Sequence, residues 1–339
     1  MLGRLIGGCW VGLVASLAVT TPPLAADHFA GKAIRLVVGS GAGGGFDIYG
    51  RAIARHLGRH IPGNPAVIVQ NMPGAGGGKA ASYLYSVAPK DGTAIAAILP
   101  GTIFNPLLSG ATQQYDPSKF RYIGTADNGT RLCITSRSSP IKTFDDAQTR
   151  RMTVGATAPG SSMFDYAQLL RNIAKAQFQI VGGYKSTAEI GLALDRGEVD
   201  GLCGWDWSSL QAQQPNFNEK YNIILQTGME PNPELKKMGV PIIQSYVSGS
   251  EDRQVLDLFL AQQIFGRPYV APPGIAEVHL AILKRAFDLT LKDTQFLDDS
   301  RKLKLQTTAA SGALVEDVVM KMYQTPRHII ERAADLVKP

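Results

Sequence analysis

Three turns rich in glycine and serine carry the groups in this sequence best suited to holding an anion. They are Gly39-Ser-Gly-Ala-Gly-Gly-Gly-Phe-Asp47, Asn71-Met-Pro-Gly-Ala-Gly-Gly-Gly78 and Gly155-Ala-Thr-Ala-Pro-Gly-Ser-Ser162. Each follows a short apolar run and opens a helical pattern, which leaves bare backbone N–H groups at a helix N-terminus. Such a place holds a carboxylate without a charged side chain. Glycines and serines also simply make tight turns and caps, but three turns at corresponding strand ends favour the anion reading. Catalytic groups are poorly represented. There is no G-x-S-x-G elbow, and no histidine accompanies the serine turns. The five histidines show no ligand spacing, so no metal site is expected. Asp145-Asp146 and Asp298-Asp299 lie on polar, helix-like stretches and read as solvated faces.

Gly39-Ser-Gly-Ala-Gly-Gly44 also fits the dinucleotide fingerprint G-x-G-x-x-G. An exported oxidoreductase is therefore the competing reading. The fingerprint wants an acidic residue about 20 positions later to hold the ribose. Here the second strand runs into Gln70-Asn71 and more glycines follow, so no cofactor is expected.

Strand-like and helical patterns alternate along the chain and position these turns. Strands are expected at Ile34–Val38, Ala66–Val69 and Ala94–Leu99, and again at Met152–Ala156, Phe178–Val181, Val199–Cys203 and Ile223–Gln226. Helices are expected at Asp47–Ile61, with Asp47 as N-cap, at Met163–Ala174, and at Ser186–Arg196, where Ser186 and Glu189 form a capping box. The last third reads as helical over Glu251–Phe265, Ile275–Leu291 and Leu314–Leu336. Alternation of this kind implies parallel strands joined by right-handed crossovers. The expected fold is α/β, two doubly wound Rossmann-like lobes with a ligand cleft between them. Residues 27–128 and 248–339 would form the first lobe and 129–247 the second. Ligands on such sheets bind beyond the carboxyl ends of the strands.

The first residues speak to compartment. A positive start at Arg4, an apolar run over Leu5–Val19 and small residues up to Ala26 give the three parts of an export signal, expected over 1–26. Without it, 33 basic and 28 acidic residues leave a charge of +5. That balance suits small anions but decides little, and no basic run with interleaved aromatics suggests nucleic acid. Cys133 and Cys203 remain; pairing in an oxidising compartment and burial as free thiols are both natural for them.

At these residues the chain resembles the periplasmic solute receptors of tripartite tricarboxylate transporters, the Bug receptors. Gly43-Gly-Gly-Phe-Asp47 is similar to that family's G-G-x-x-D turn, and Asn71-Met-Pro-Gly-Ala-Gly-Gly77 to its N-R-P-G-A-G-G, with Met72 in place of arginine. Ala88-Pro-Lys-Asp-Gly-Thr93 resembles A-P-D-G-Y-T, with Lys90 inserted and the tyrosine absent. Tyr184-Lys185, Gly197-Glu-Val-Asp-Gly201 and Ala271-Pro-Pro-Gly-Ile275 match further segments in order. The resemblance implies a periplasmic, monomeric receptor without enzymatic activity that closes on a small organic acid and delivers it to membrane transport proteins. It implies that Gly43, Gly44, Gly45, Phe46 and Asp47 on one lobe, and Gly160, Ser161 and Ser162 on the other, grip a carboxylate. Thr102 would be a side-chain neighbour, Asn71 a further contact, and Asp47 more a cap fixing the turn than a ligand contact. A receptor that signals to a membrane partner would use the same lobe closure.

Specificity must come from elsewhere in the cleft. Trp205, Asp206 and Trp207 follow an expected strand, so the indoles either stack on a flat ligand or pack the lobe, and Asp206 could accept a ligand hydrogen bond. Tyr184 is a similar candidate.

Overall fold

A computed structural model describes residues 28–109 and 114–338; the expected export signal at 1–26 lies outside the described residues. Eleven strands are described: β1 (Ala33–Val38), β2 (Ala66–Asn71), β3 (Ala94–Ala97), β4 (Arg121–Thr125), β5 (Arg131–Ser136), β6 (Met152–Gly155), β7 (Phe178–Val181), β8 (Gly201–Asp206), β9 (Tyr221–Thr227), β10 (Pro268–Ala271) and β11 (Ala310–Ser311). They form two sheets, ordered β11-β4-β10-β3-β1-β2 and β7-β6-β8-β5-β9.

The first sheet is apolar at its centre because it is covered on both sides. All four residues of β3 are buried, whereas the edge strand β2 keeps Ile68 exposed. On one side the helix Gly45–Leu57 turns Tyr49, Ala52, Ile53 and Leu57 inward against Ile34, Leu36 and Val38. That is the stripe its apolar spacing predicts. On the other side Ala80, Ala81 and Leu84 of the helix Gly78–Ser86 pack near Val37 and Ala96. Each fully buried leucine or isoleucine in such a layer contributes roughly 2 kcal/mol. In the second sheet, Cys133 on β5 stands in register with Cys203 on β8, and a disulfide joins them. The structure thus selects the paired alternative for these cysteines.

Two expectations need correction. The strands are not all parallel: β1, β2 and β3 run together, as do β6, β7 and β8, but β10 is antiparallel to β3 and β4, and β5 is antiparallel to β8 and β9. These reversed strands are where the chain passes between sheets, with β4 leading directly into β5. Short apolar runs of this kind carry no periodic signal of direction. The tail helix expected over Leu314–Leu336 is two helices, Gly312–Tyr323 and Arg327–Leu336, divided at Pro326, whose ring denies the backbone a donor.

The passages between sheets lie side by side. The N–H of Ala126 donates to the Arg267 carbonyl and the N–H of Arg267 to the Asp127 carbonyl, both at 3.1 Å. Beyond them the helix Ser250–Ile264 touches both halves. Its Phe259 packs edge-on to Phe104 and near Tyr166, and Gln263 donates to the Tyr166 hydroxyl at 2.9 Å.

Candidate functional site

The first turn is braced from within. Gly43 takes a left-handed conformation (φ +78°), and its N–H donates to Asp47 Oδ2 at 2.8 Å. Arg51 Nε donates to the same oxygen at 2.9 Å, and Asn71 Nδ2 to Asp47 Oδ1 at 2.9 Å and to the Ser40 carbonyl at 3.0 Å. Burial works to raise the Asp47 pKa, but Arg51, the Gly43 N–H and Asn71 outweigh it and hold the carboxyl below its usual value. Asp47 is therefore not the N-cap expected from its type. Gly44 is, with no side-chain cap, and Asp47 reaches back from the third helical position. The first intrahelical bond runs from the Ile48 N–H to the Gly44 carbonyl. The N–H groups of Gly45, Phe46 and Asp47 precede it and have no partner within the helix. Asn71, expected as a ligand contact, spends its amide on the brace.

The third turn repeats the device on the other sheet. Gly160 (φ +82°) donates its N–H to Asp165 Oδ1 at 2.9 Å, and Ser161 caps the helix Ser162–Ile173 by accepting from the Phe164 N–H at 3.3 Å. Asp165 is buried, and burial pushes its carboxyl up to about 7 against the opposing Gly160 N–H. Tyr184 is half-buried beside the start of this turn: its N–H donates to the Ala156 carbonyl at 3.3 Å, and burial raises its pKa.

The structure brings the carboxyl ends of both sheets together, through residues the sequence did not single out. Asn105 Nδ2, on the helix Pro100–Ser109, donates to the Gly160 carbonyl at 2.9 Å, and a Cβ on Gly101 would stand 3.4 Å from that same oxygen. A Cβ on Gly45 would lie 3.2 Å from Ser209 Oγ. Asn105 lies three residues beyond Thr102, one turn along its helix, and that spacing was the available signal. Thr102 itself is buried and donates its hydroxyl to the Leu99 carbonyl at 2.6 Å.

Trp205, Asp206 and Trp207 do not form a ligand platform. Strand β8 extends through Asp206, so Trp205 and Asp206 are in the sheet rather than beyond it, and Trp207 opens the helix that follows. Gly204, at φ +91°, provides the bulge that lets Trp205 pair with Leu132 while Cys203 pairs with Cys133. Both indoles are 1% exposed, in a core cluster with Leu132, Ile190 and Tyr221. Trp207 Nε1 donates to Glu234 at 3.3 Å. Packing the lobe is thus their role, because so large an apolar surface is better buried than left on a loop.

Asp206 belongs to a buried polar network at the crossing between sheets. Arg131 Nη1 donates to its Oδ2 at 2.8 Å, and Arg267 Nη2 to its Oδ1 at 3.1 Å. It also accepts from the Ser208 hydroxyl at 2.6 Å and caps the helix Trp207–Gln213 through the Ser209 N–H at 3.0 Å. Burial opposes ionisation of Asp206, yet Arg267 and Arg131 bring its pKa down to about 2. Across the Ser208 hydroxyl stands Asp127, pushed up to about 6 by burial and by the Asp206 charge. Tyr49 donates to the Gln306 carbonyl at 2.7 Å, and the Arg267 guanidinium lies 4.4 Å from the Phe46 ring centre. Phe46 thereby ties the first turn to the crossing. The sequence offered no sign of these pairs, whose members are more than 60 residues apart.

Beside the second turn is a cavity of about 570 Å³, lined by Ala75, Gly76, Gly78, Lys79, Ser82 and Tyr115, and by Gly101, Thr102 and Asn105 of the neighbouring helix. No metal-binding group of three or more His, Cys, Asp or Glu occurs among the described residues. No described helix is long and apolar enough to cross a membrane.

No protein-family model matches the chain. In sequence it is 29% identical over 243 residues to a UPF0065 protein of Cupriavidus necator, covering 68% of this chain and 71% of the relative. Among solved structures, MatC of Rhodopseudomonas palustris with bound malate matches 91% of this chain and 100% of its own at 19% identity and a TM-score of 0.65. A second protein of that organism, solved with adipate, matches 90% and 98% at 20% identity and a TM-score of 0.68. A TctC solute-binding protein from Polaromonas, solved without ligand, matches 89% and 99% at 18% identity and a TM-score of 0.65. The chain has the two-lobed α/β fold of the TctC- and Bug-type periplasmic solute-binding proteins, and the relatives found by sequence are UPF0065 proteins.

Proposed function

We propose that this protein is a periplasmic solute-binding protein that captures a small organic acid by closure of its two lobes and passes it to a membrane transporter of the tripartite tricarboxylate type. The malate and adipate held by two proteins of the same fold agree with a carboxylate ligand. The observation that carries the reading is the first turn. Its helix starts at an uncapped glycine, its internal donor Gly43 is already occupied by Asp47, and Gly45, whose N–H has no partner within the helix, lies close to Ser209 and Arg267 of the neighbouring elements. A carboxylate placed there meets the positive end of a 13-residue helix. Gly160, Ser161 and Ser162 supply the opposing face as the second lobe closes. We assign residues 129–247 to that lobe, with the flanking segments forming the first. Capture and release without turnover is the activity this arrangement performs, and the protein acts as a monomer.

Gly44→Asp tests the reading cleanly. The Cβ it adds has the Gly41 carbonyl at 3.5 Å as its nearest neighbour, an ordinary contact, and aspartate is a favoured N-cap. The variant should fold at least as stably as the wild type while its own carboxylate occupies the anion position. Calorimetric titration with a panel of mono- and dicarboxylates should show binding to the wild type and none to the variant. Equal affinity in the two proteins would sink the assignment.

A further inference from the structure

The second turn borders the cavity of about 570 Å³. Its cavity is lined by one cation, Lys79, by the hydroxyls of Ser82 and Tyr115, and by the Asn105 amide, with no acidic side chain in the lining. Lys79 is exposed and forms no ion pair among the described residues, its stem lying along Gly74 at 3.6 Å from a Cβ there. Tyr115 is largely buried, and its hydroxyl makes no hydrogen bond among the described residues. Asn105 spends one amide hydrogen on the Gly160 carbonyl, which leaves its second hydrogen and its oxygen available. Gly76 and Gly78 bring the start of the nine-residue helix Gly78–Ser86 to the same lining. A positive, donor-rich cavity without a carboxylate of its own suits an anion, and its size suits a small molecule.

The cavity is also continuous with the seam between lobes. Gly101 and Asn105 belong to its lining, and both lie against the Gly160 carbonyl of the third turn. The lining that carries Lys79 therefore reaches the third turn, which the proposed carboxylate grip uses as its opposing face. We infer that Lys79 is a specificity residue that receives a second carboxylate, which makes the ligand a dicarboxylate rather than a monocarboxylate. This rests on the carboxylate-capture reading given above. Lobe closure removes water from the cavity, so the Lys79–carboxylate pair strengthens as the cleft shuts. Asn105 and Tyr115 hold the same carboxylate by neutral hydrogen bonds.

The test is calorimetric titration of the wild type, Lys79→Gln and Lys79→Arg with matched pairs, succinate against butyrate and adipate against hexanoate. The wild type should prefer the diacid of at least one pair. Lys79→Gln should weaken diacid binding roughly tenfold while leaving monoacid binding unchanged, and Lys79→Arg should restore most of the loss. Raised salt should weaken diacid binding to the wild type more than to Lys79→Gln. Carboxylate binding that ignores the substitution, or that changes equally for both acids, overturns the role of Lys79 alone. A folded wild type that binds none of the four acids overturns the capture reading together with it.

Discussion

The first and third turns solve the same problem with the same parts and end in opposite electrostatic states. In each, a glycine held at positive φ donates its N–H to an aspartate in the first turn of the following helix, Gly43 to Asp47 at 2.8 Å and Gly160 to Asp165 at 2.9 Å. Asp47 has Arg51 and Asn71 as additional donors and is held below its usual pKa. Asp165 is buried with the Gly160 N–H as the bond that favours its charge, and is pushed up to about 7. The shared geometry shows that the brace is a steric and hydrogen-bonding device. The differing charge shows that neighbours, not the motif, decide its ionisation. An anion approaching the first turn meets a neutralised brace; one approaching the third meets a carboxyl that can keep its proton.

The largest way to break the comparison acts on the second sheet alone. Removing the Cys133–Cys203 disulfide, whose residues lie 70 apart, should cost about 4 kcal/mol in denaturant titration by the chain-entropy argument. The third turn should loosen with it, while the first, on the other sheet, keeps its protection from hydrogen exchange. A narrower blow to the same turn is Gly204→Ala. The added Cβ would sit 2.5 Å from the Ser162 carbonyl oxygen at a backbone φ of +91°, so strain and overlap together should cost about 3 kcal/mol. A variant as stable as the wild type would show that the bulge relaxes freely.

On the first turn, Asp47→Ala leaves Gly43, Arg51 and Asn71 without their shared acceptor. It should lose about 2 kcal/mol in thermal unfolding and disorder the turn without affecting Gly160. The subtlest separation is by pH. The folded pKa of Asp165 is raised, so the folded state holds a proton that the unfolded chain releases near pH 4. Stability contributed at this site is therefore present below about pH 4 and lost as pH climbs to about 7, by at most about 1.4 kcal/mol per pH unit. Asp165→Asn, which retains an acceptor for Gly160, should flatten that slope and become relatively more stable at pH 7. Asp47 has the reverse sign: its contribution is present above pH 4 and lost on acidification. Identical pH profiles for wild type and Asp165→Asn would erase the distinction between the turns.

Much of this was legible in the chain. The strands β1, β2, β6 and β7 and the helices after the first and third turns follow from alternating apolar runs, glycine turns and caps. Ser186 caps its helix as expected, although Glu189 bonds the Lys185 N–H rather than that of Ser186. Three features depend on more than local residue type. Asp47 had a capping residue's identity, but Gly43 and Gly44 set where the helix begins. The tryptophans were read from a strand thought to end at Cys203, whereas the Gly204 bulge carries it on to Asp206. Asp206 looked available to a ligand because its partners Arg131 and Arg267 are distant in sequence.

The sequence by itself determined the local pieces: which runs become strands, where backbone donors gather, and that no obvious catalytic set accompanies them. Those are consequences of propensity and periodicity, which act over a few residues. Only the tertiary structure decided the direction of β4, β5 and β10, the pairing of Cys133 with Cys203, and the buried Asp127–Asp206–Arg131–Arg267 network. It also placed Asn105 against Gly160 and set Lys79 in a cavity. Each of these depends on contacts between residues far apart in the chain, whose energies arise only when burial excludes water and brings the partners within hydrogen-bonding distance.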